Sequence, residues 1–164
     1  MTLLFENETE EELPFDPYEL AESVINKAIE LENFPFEAQV ALTLVSANDI
    51  KEINREQRKI DSVTDVLSFP MLEFDSAGDF SKIEDDDGNF DYDTGECILG
   101  DIVICVQRMK EQAAEFGHGE KREFAFLISH SMLHLFGYDH MTKEEETVMF
   151  QKQEDILAAL SITR

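Results

Sequence analysis

The chain has no tryptophan, only two cysteines, and 13 Lys and Arg side chains against 37 Asp and Glu. It has no apolar run near the roughly 20 residues that span a bilayer, which excludes a membrane-spanning helix. Cys97 and Cys105 are not spaced as a CxxC unit. Two such thiols exclude a disulfide-built secreted scaffold and fit a reduced, cytoplasmic protein in which they pack as small apolar groups. The start, Met1 to Asn7, has neither a basic n-region nor a long apolar stretch, so no secretory signal is expected. Scarce cations argue against a general nucleic-acid binder, because phosphate binding rests on Lys and Arg. The formal net charge of −24 is concentrated, however: Glu6, Glu8 and Glu10-Glu11-Glu12 lie near the start, and ten carboxylates against Lys82 lie between 73 and 96. Such blocks repel themselves and stay solvated, so the charge of a local groove is the better guide.

At 164 residues with 43% apolar composition the chain is long enough for one domain, spanning 1–164, with a substantial core. Leu3–Asn7 reads as a first strand. Asp16-Pro17-Tyr18-Glu19 opens a helix, with Asp as cap and Pro in the first turn, and Leu20, Val24, Ala28 and Leu31 give it an apolar stripe through about Glu32. Ala38–Ala47 is rich in apolar and β-branched residues and predicts a strand; Asn48 is then expected to cap a helix through Arg58. Thr64–Phe69 predicts a second strand stopped by Pro70. The acidic stretch 73–96 carries three glycines and little periodicity, and predicts a long surface loop or mobile hairpin extension. Its Asp85-Asp86-Asp87-Gly88-Asn89 lacks the register of an EF-hand calcium loop. Ile98–Cys105 predicts a buried strand interrupted at Gly100-Asp101, Val106–Phe116 a helix ended by Gly117, and Glu120–Phe136 a further helix. Thr142-Lys-Glu-Glu145 is a capping box opening a last helix through roughly Leu160. Strands early and helices late give an α+β domain, a small mixed sheet packed with helices.

Three of the chain's four histidines fall in His130-Ser-Met-Leu-His134-Leu-Phe-Gly137-Tyr-Asp-His140. Residues four apart share one helix face, so His130 and His134 can point at one cation. Gly137 supplies the left-handed residue that ends a helix and turns the chain back, bringing His140 round as a third ligand. Three imidazoles with a fourth position left for water are the pattern of a catalytic zinc site, one ion per chain. A set of three histidines also suits nickel, copper or iron. His118 stands outside this pattern, near the C-terminal end of the preceding helix, where a cation is favoured.

The spacing HxxxHxxGxxH also occurs in metzincin peptidases, whose general base is a glutamate directly after the first histidine. Ser131 holds that position here. Serine does not take a proton near neutral pH, which disfavours peptide hydrolysis while leaving the metal scaffold intact.

Taken together, the histidine motif, Asp61-Ser-Val-Thr-Asp65-Val-Leu-Ser68-Phe-Pro70 and Leu99-Gly100-Asp101-Ile102 resemble the bacterial YbeY family of rRNA-maturation endoribonucleases. The resemblance runs over nearly the whole chain. It implies a fold related to zinc metalloproteinases and metal-dependent cleavage of single-stranded RNA, above all at the 3′ end of small-subunit rRNA, with a role in ribosome quality control. Arg58, following Asn54, matches the family's arginine near the metal cleft and is the candidate catalytic residue, a planar, always charged donor set for phosphate. Two departures stand out: Ser131 replaces the family's usual glycine, and the acidic segment 73–96 is longer than the usual connection. Folded over the cleft, that segment would repel RNA.

Further expectations concern the surroundings. Asp139 is expected either to hold a ligand histidine or to cap its turn, Asp65 and Asp101 to organise strand ends, and Ser68 to stand near the cleft wall. Arg55, Arg58 and Lys59, with Lys110, Lys121 and Arg122, are expected to gather around the metal while the acid faces elsewhere. The partners implied by the resemblance are single-stranded rRNA, the small ribosomal subunit, and a ribosomal protein or GTPase. Against the enzyme stand a ribosome-assembly factor with a mainly structural metal and, less favoured, a metallopeptidase.

Overall fold

The strand densest in apolar residues lies inside the sheet. β2 (Ala38–Val45) alternates buried and half-buried side chains, and pairs in parallel with β1 (Thr2–Asn7) on one side and β4 (Cys97–Cys105) on the other. β3 (Val66–Pro70) runs antiparallel along the outer side of β4, giving the order β1-β2-β4-β3. This computed structural model describes residues 1–162. Thr163 and Arg164, the last positions of the expected domain, lie outside the described residues.

β4 is not interrupted at Gly100-Asp101 as expected. The strand runs through, with a bulge where the register slips between Gln39 and Val40 of β2. Gly100 has φ 145°, and a Cβ there would stand 2.3 Å from the carbonyl oxygen of Phe69. Only glycine lets the edge strand close onto β4 at this point. Pro70 does not stop β3 but forms its last residue, opposite Gly100. An edge strand tolerates a missing N–H, so proline fits where a central strand would reject it.

Several of the helices start where short polar side chains cap them. Asp16 accepts from the N–H groups of Tyr18 and Glu19 at the head of α1 (Pro17–Leu31). α2 (Ala47–Arg58) is capped by Ser46, which accepts from the N–H of Asp49. Asn48 therefore lies inside α2 and β2 ends at Val45, a correction to the expected boundary. Val45 completes the last pairing with Cys105, and the chain turns at the first good cap beyond it. α3 (Val106–Phe116) follows β4 directly and ends at Gly117 in the left-handed conformation. α4 (Glu120–Leu135) and α5 (Lys143–Ala159) complete the chain, the latter capped by Thr142.

The large core lies on one face of the sheet. Leu3, Val40, Leu42, Leu44, Ile102 and Ile104 meet the apolar sides of α1 and α4 there. On the other face α2 covers a smaller cluster of Val45, Ile50, Leu67, Val103 and Cys105. α4 is buried nearly all round, with Phe124, Leu127, Ile128, Met132, Leu133 and Leu135 all below 3% exposure. A helix with no solvated stripe belongs in the centre of a domain.

The acidic segment is a long surface loop as expected, and it is tied to the core at several points. Residues 73–96 make two single turns of 3-10 helix, Ile83–Asp85 and Asp87–Asn89, and carry apolar anchors into the large core. Ile83 is buried, and the ring of Phe80 stands 4.9 Å from that of Phe34 and 5.3 Å from that of Phe136. The carboxylates stay outside. The anchors recur at no helical or strand period, which is why the sequence reads as a solvated loop.

Candidate metal centre

The last turns of α4 place His130 and His134 on one face, and the turn beyond places His140 opposite them. Gly137 adopts φ 94°, and a Cβ there would meet the ring of Phe74 at 2.8 Å. The N–H of Tyr138 donates to Leu133 O at 2.9 Å and that of Gly137 to His134 O at 3.0 Å, closing the end of the helix. The acidic segment thus buttresses the turn from behind through Phe74, and Gly78 N–H donates to Phe136 O at 3.0 Å. The ring nitrogens of the three histidines converge, one atom from each, within 4.8 Å of one another.

This arrangement fits a metal ion by its donor chemistry. The Nε2 atoms of His130 and His134 are 3.1 Å apart. Two nitrogens each about 2 Å from a tetrahedral zinc would stand roughly 3.4 Å apart, so little movement is needed. The outward nitrogens are engaged elsewhere: His134 Nδ1–H donates to Tyr138 O at 2.9 Å, and His130 Nδ1 contacts the side-chain amide of Gln153 at 2.6 Å. Such contacts turn each Nε2 inward. Burial, reinforced by the neighbouring His134 and His140 against the opposing pull of Asp139, pushes His130 down to about 4. Burial likewise lowers His134, while its bond to Tyr138 acts the other way. Rings so held are neutral near pH 7, the form that binds a metal.

The histidines open into a cleft of about 780 Å³. Its lining includes Arg58 from the end of α2, Asp65, Val66 and Ser68 from the β3 side, Asp139 from the turn, and Glu146, Phe150 and Gln153 from α5. Asp65 Oδ1 accepts from the N–H of Val66 and the hydroxyl of Thr64, organising the head of β3 while also facing the cleft. Asp139 Oδ1 accepts from the backbone N–H of His140, so it braces the turn. Ser68 Oγ lies 2.9 Å from the hydroxyl of Ser131, which is wholly buried and away from the cleft. Asp101 is exposed on β4 and does not reach the site. His118 follows α3 beside the ring of Phe116 and does not line the cleft.

The expected gathering of cations does not occur. Among the described residues, Arg58 is the only Arg or Lys that lines the cleft. Arg55 pairs with Glu52 on its own helix, and Lys59 donates to Glu56 O. Lys110 reaches Glu11 and the carbonyl of Glu12. Arg122 is buried, donating to Glu154 at 3.0 Å and Ile162 O at 3.1 Å. Arg55, Lys110 and Arg122 are each drawn off by a carboxylate nearby, and Lys59 by a backbone carbonyl of its own helix. No residue of the acidic segment lines the cleft either, so that segment does not cover it. Gln153 is the contributor that the sequence reading missed; its signal was a polar residue in an otherwise apolar stripe of α5.

Residues 4–161 match the family described as Endoribonuclease YbeY. The chain belongs to that family. Curated YbeY relatives named Endoribonuclease YbeY include one from Agathobacter rectalis, 55% identical over the full length of both chains, and one from Lachnospira eligens, 53% identical over the full length of both. The solution structure of TM1509 from Thermotoga maritima is similar at 25% identity with a TM-score of 0.58, covering 98% of this chain and 92% of that one. The mixed sheet and the helix bearing two of the histidines are therefore a YbeY-family fold. Among the described residues, no helix of this YbeY-family chain is long and apolar enough to cross a membrane.

Proposed function

We propose that the protein is a zinc-dependent endoribonuclease that cuts single-stranded RNA in maturing the 3′ end of small-subunit rRNA and serves ribosome quality control. One observation carries the reading: the histidine triad and, among the described residues, a single arginine line one open cleft in a chain of the YbeY family. His130, His134 and His140 would hold one ion. When bound, zinc supplies Lewis acidity toward a phosphoryl oxygen and lowers the pKa of water.

The rest falls to the chain's own groups. Arg58 presents a planar fork of donors to the phosphate. The Asp65 and Asp139 carboxylates brace the ends of the two walls, and Phe126, Met149 and Phe150 give the cleft apolar surface. Asp65, Asp139 and Glu146 around one arginine make a poor trap for free polyanions. That balance supports a substrate presented by a partner, the small ribosomal subunit with a ribosomal protein or GTPase. Two buried free thiols favour a reduced, cytoplasmic setting, with 1–164 acting as one domain.

The test joins metal content to cleavage. Elemental mass spectrometry should find about one zinc per chain, the stoichiometry of a single three-histidine site, and His134→Ala should lose it. Wild type should cut a single-stranded oligoribonucleotide and spare the duplex. Arg58→Ala should keep its metal and cut roughly 100-fold more slowly, the usual cost of one transition-state donor. Equal cleavage by His134→Ala sinks the proposal. If His130→Ala instead unfolds the whole protein, the metal is structural and the assembly-factor reading takes over. Digestion of casein would revive the peptidase, which the burial of Ser131 against Ser68 disfavours.

A further inference from the structure

α5 carries its buried residues at Met149, Gln153, Ile156 and Leu157. Three of these are apolar, as the inward stripe of a helix requires, and one is an amide only 4% exposed. Burying an amide costs free energy unless its polar atoms find partners. The Nε2 of this one lies 2.6 Å from His130 Nδ1, across 23 residues of sequence. The two paired histidines are thus oriented differently. His134 is held by a carbonyl of its own turn, whereas His130 is held by a side chain from another helix.

We propose that Gln153 is the positioning residue of the metal centre: its side-chain oxygen accepts the Nδ1 proton of His130 and so commits Nε2 to the metal. The inference rests on the metal reading above. A neutral imidazole has one donor and one acceptor nitrogen, and a ring that gives Nε2 to a cation carries its proton on Nδ1. The partner of Nδ1 must then be an acceptor. As placed, the Gln153 amide turns its Nε2 toward the ring; a half-turn about the last side-chain bond exchanges nitrogen for oxygen, and the hydrogen-bond network of a metal-bound His130 selects the oxygen. Acceptors of this kind hold a ligand imidazole in orientation and raise its basicity. Packing alone does not require an amide here, because methionine fills the same space in a stripe that already contains Met149.

Two substitutions separate positioning from packing. Gln153→Met keeps the length and buried volume and removes the acceptor; Gln153→Glu keeps an acceptor. The metal-stripped full-length chains would be titrated with zinc against a chromophoric chelator, with wild type and His134→Ala in parallel and thermal melts of the stripped proteins. Gln153→Met should bind zinc about 10- to 100-fold more weakly than wild type, the usual loss when such a partner is removed. Gln153→Glu should bind at least as tightly as wild type. Unchanged affinity in Gln153→Met overturns the inference and leaves the metal site standing. Equal losses in both variants also overturn it, since acceptance is then not what matters. Wild type that binds zinc no better than His134→Ala overturns the metal reading, and this inference with it. Should Gln153→Met fail to fold, long-range 1H–15N spectra of the zinc-loaded wild type decide. A His130 proton on Nδ1 is expected, and one on Nε2 refutes the assignment.

Discussion

α4 and the acidic segment 73–96 support the same turn by opposite means. α4 is a rod buried on nearly every side, and it delivers His130 and His134 from inside the core. The acidic segment has almost no regular structure and delivers nothing to the cleft. It holds the Gly137 turn from outside through Phe74, with Phe80 and Ile83 anchoring it. The difference separates placing a ligand from bracing the loop that follows it: the first needs a rigid axis, and the second needs only a few well-sited rings.

The sharpest way to break this comparison is at the junction of the two regions. Phe136 is fully buried and its ring meets those of Phe34 and Phe80. Phe136→Ala should cost about 3–5 kcal/mol in urea unfolding, the range for a fully buried aromatic. A loss below about 1 kcal/mol would show that the two regions do not share a core.

A smaller effect comes from pH. The metal-free folded chain resists protonation of His130 until about 4, whereas the unfolded chain takes up that proton near the ordinary 6.5. Stability from this group is therefore complete above pH 6.5 and is lost progressively as the pH falls toward 4. The loss should be on the order of 3 kcal/mol. A His130→Asn variant should show a correspondingly flatter profile over that window, and identical slopes would refute the cause assigned.

Phe80→Ala should cost about 2 kcal/mol, that of a partly buried ring. Were it neutral in urea unfolding, the acidic segment would be surface ornament and Phe74 alone would brace the turn. The smallest effect belongs to the charges. Changing Asp85, Asp86 and Asp87 together to Asn should move stability by no more than about 0.5 kcal/mol per site. It should also leave RNA affinity at fixed salt unchanged, because none of the three lines the cleft. A clear gain in affinity would mean that the segment does reach the substrate.

The legibility of these regions from sequence follows the same division. Helical periodicity, the caps at Asp16 and Thr142, the glycine endings and the histidine spacing are local, and the structure repeats them. Several readings failed for reasons that lie in tertiary contacts. Ser46 and Asn48 are both good caps, and only the pairing of Val45 with Cys105 selects Ser46. Pro70 belongs to β3 because that strand is an edge, which no local pattern announces. The expected cationic rim dissolved because Arg122, Lys110 and Arg55 each met a nearer acceptor. Gln153 was hidden for a related reason: its partner lies on another helix, and sequence distance conceals the contact.

α4 is both the middle of the large core and the carrier of two ring nitrogens that face each other. Its 16 residues therefore have almost no neutral positions. Random mutagenesis of this helix should yield variants that lose folding and chemistry together, while the segment at 73–96 should tolerate long replacements between its aromatic anchors. Evolutionary drift in this protein is expected to be slowest where a single helix answers to two demands, and fastest a few ångströms away, behind the turn it ends in.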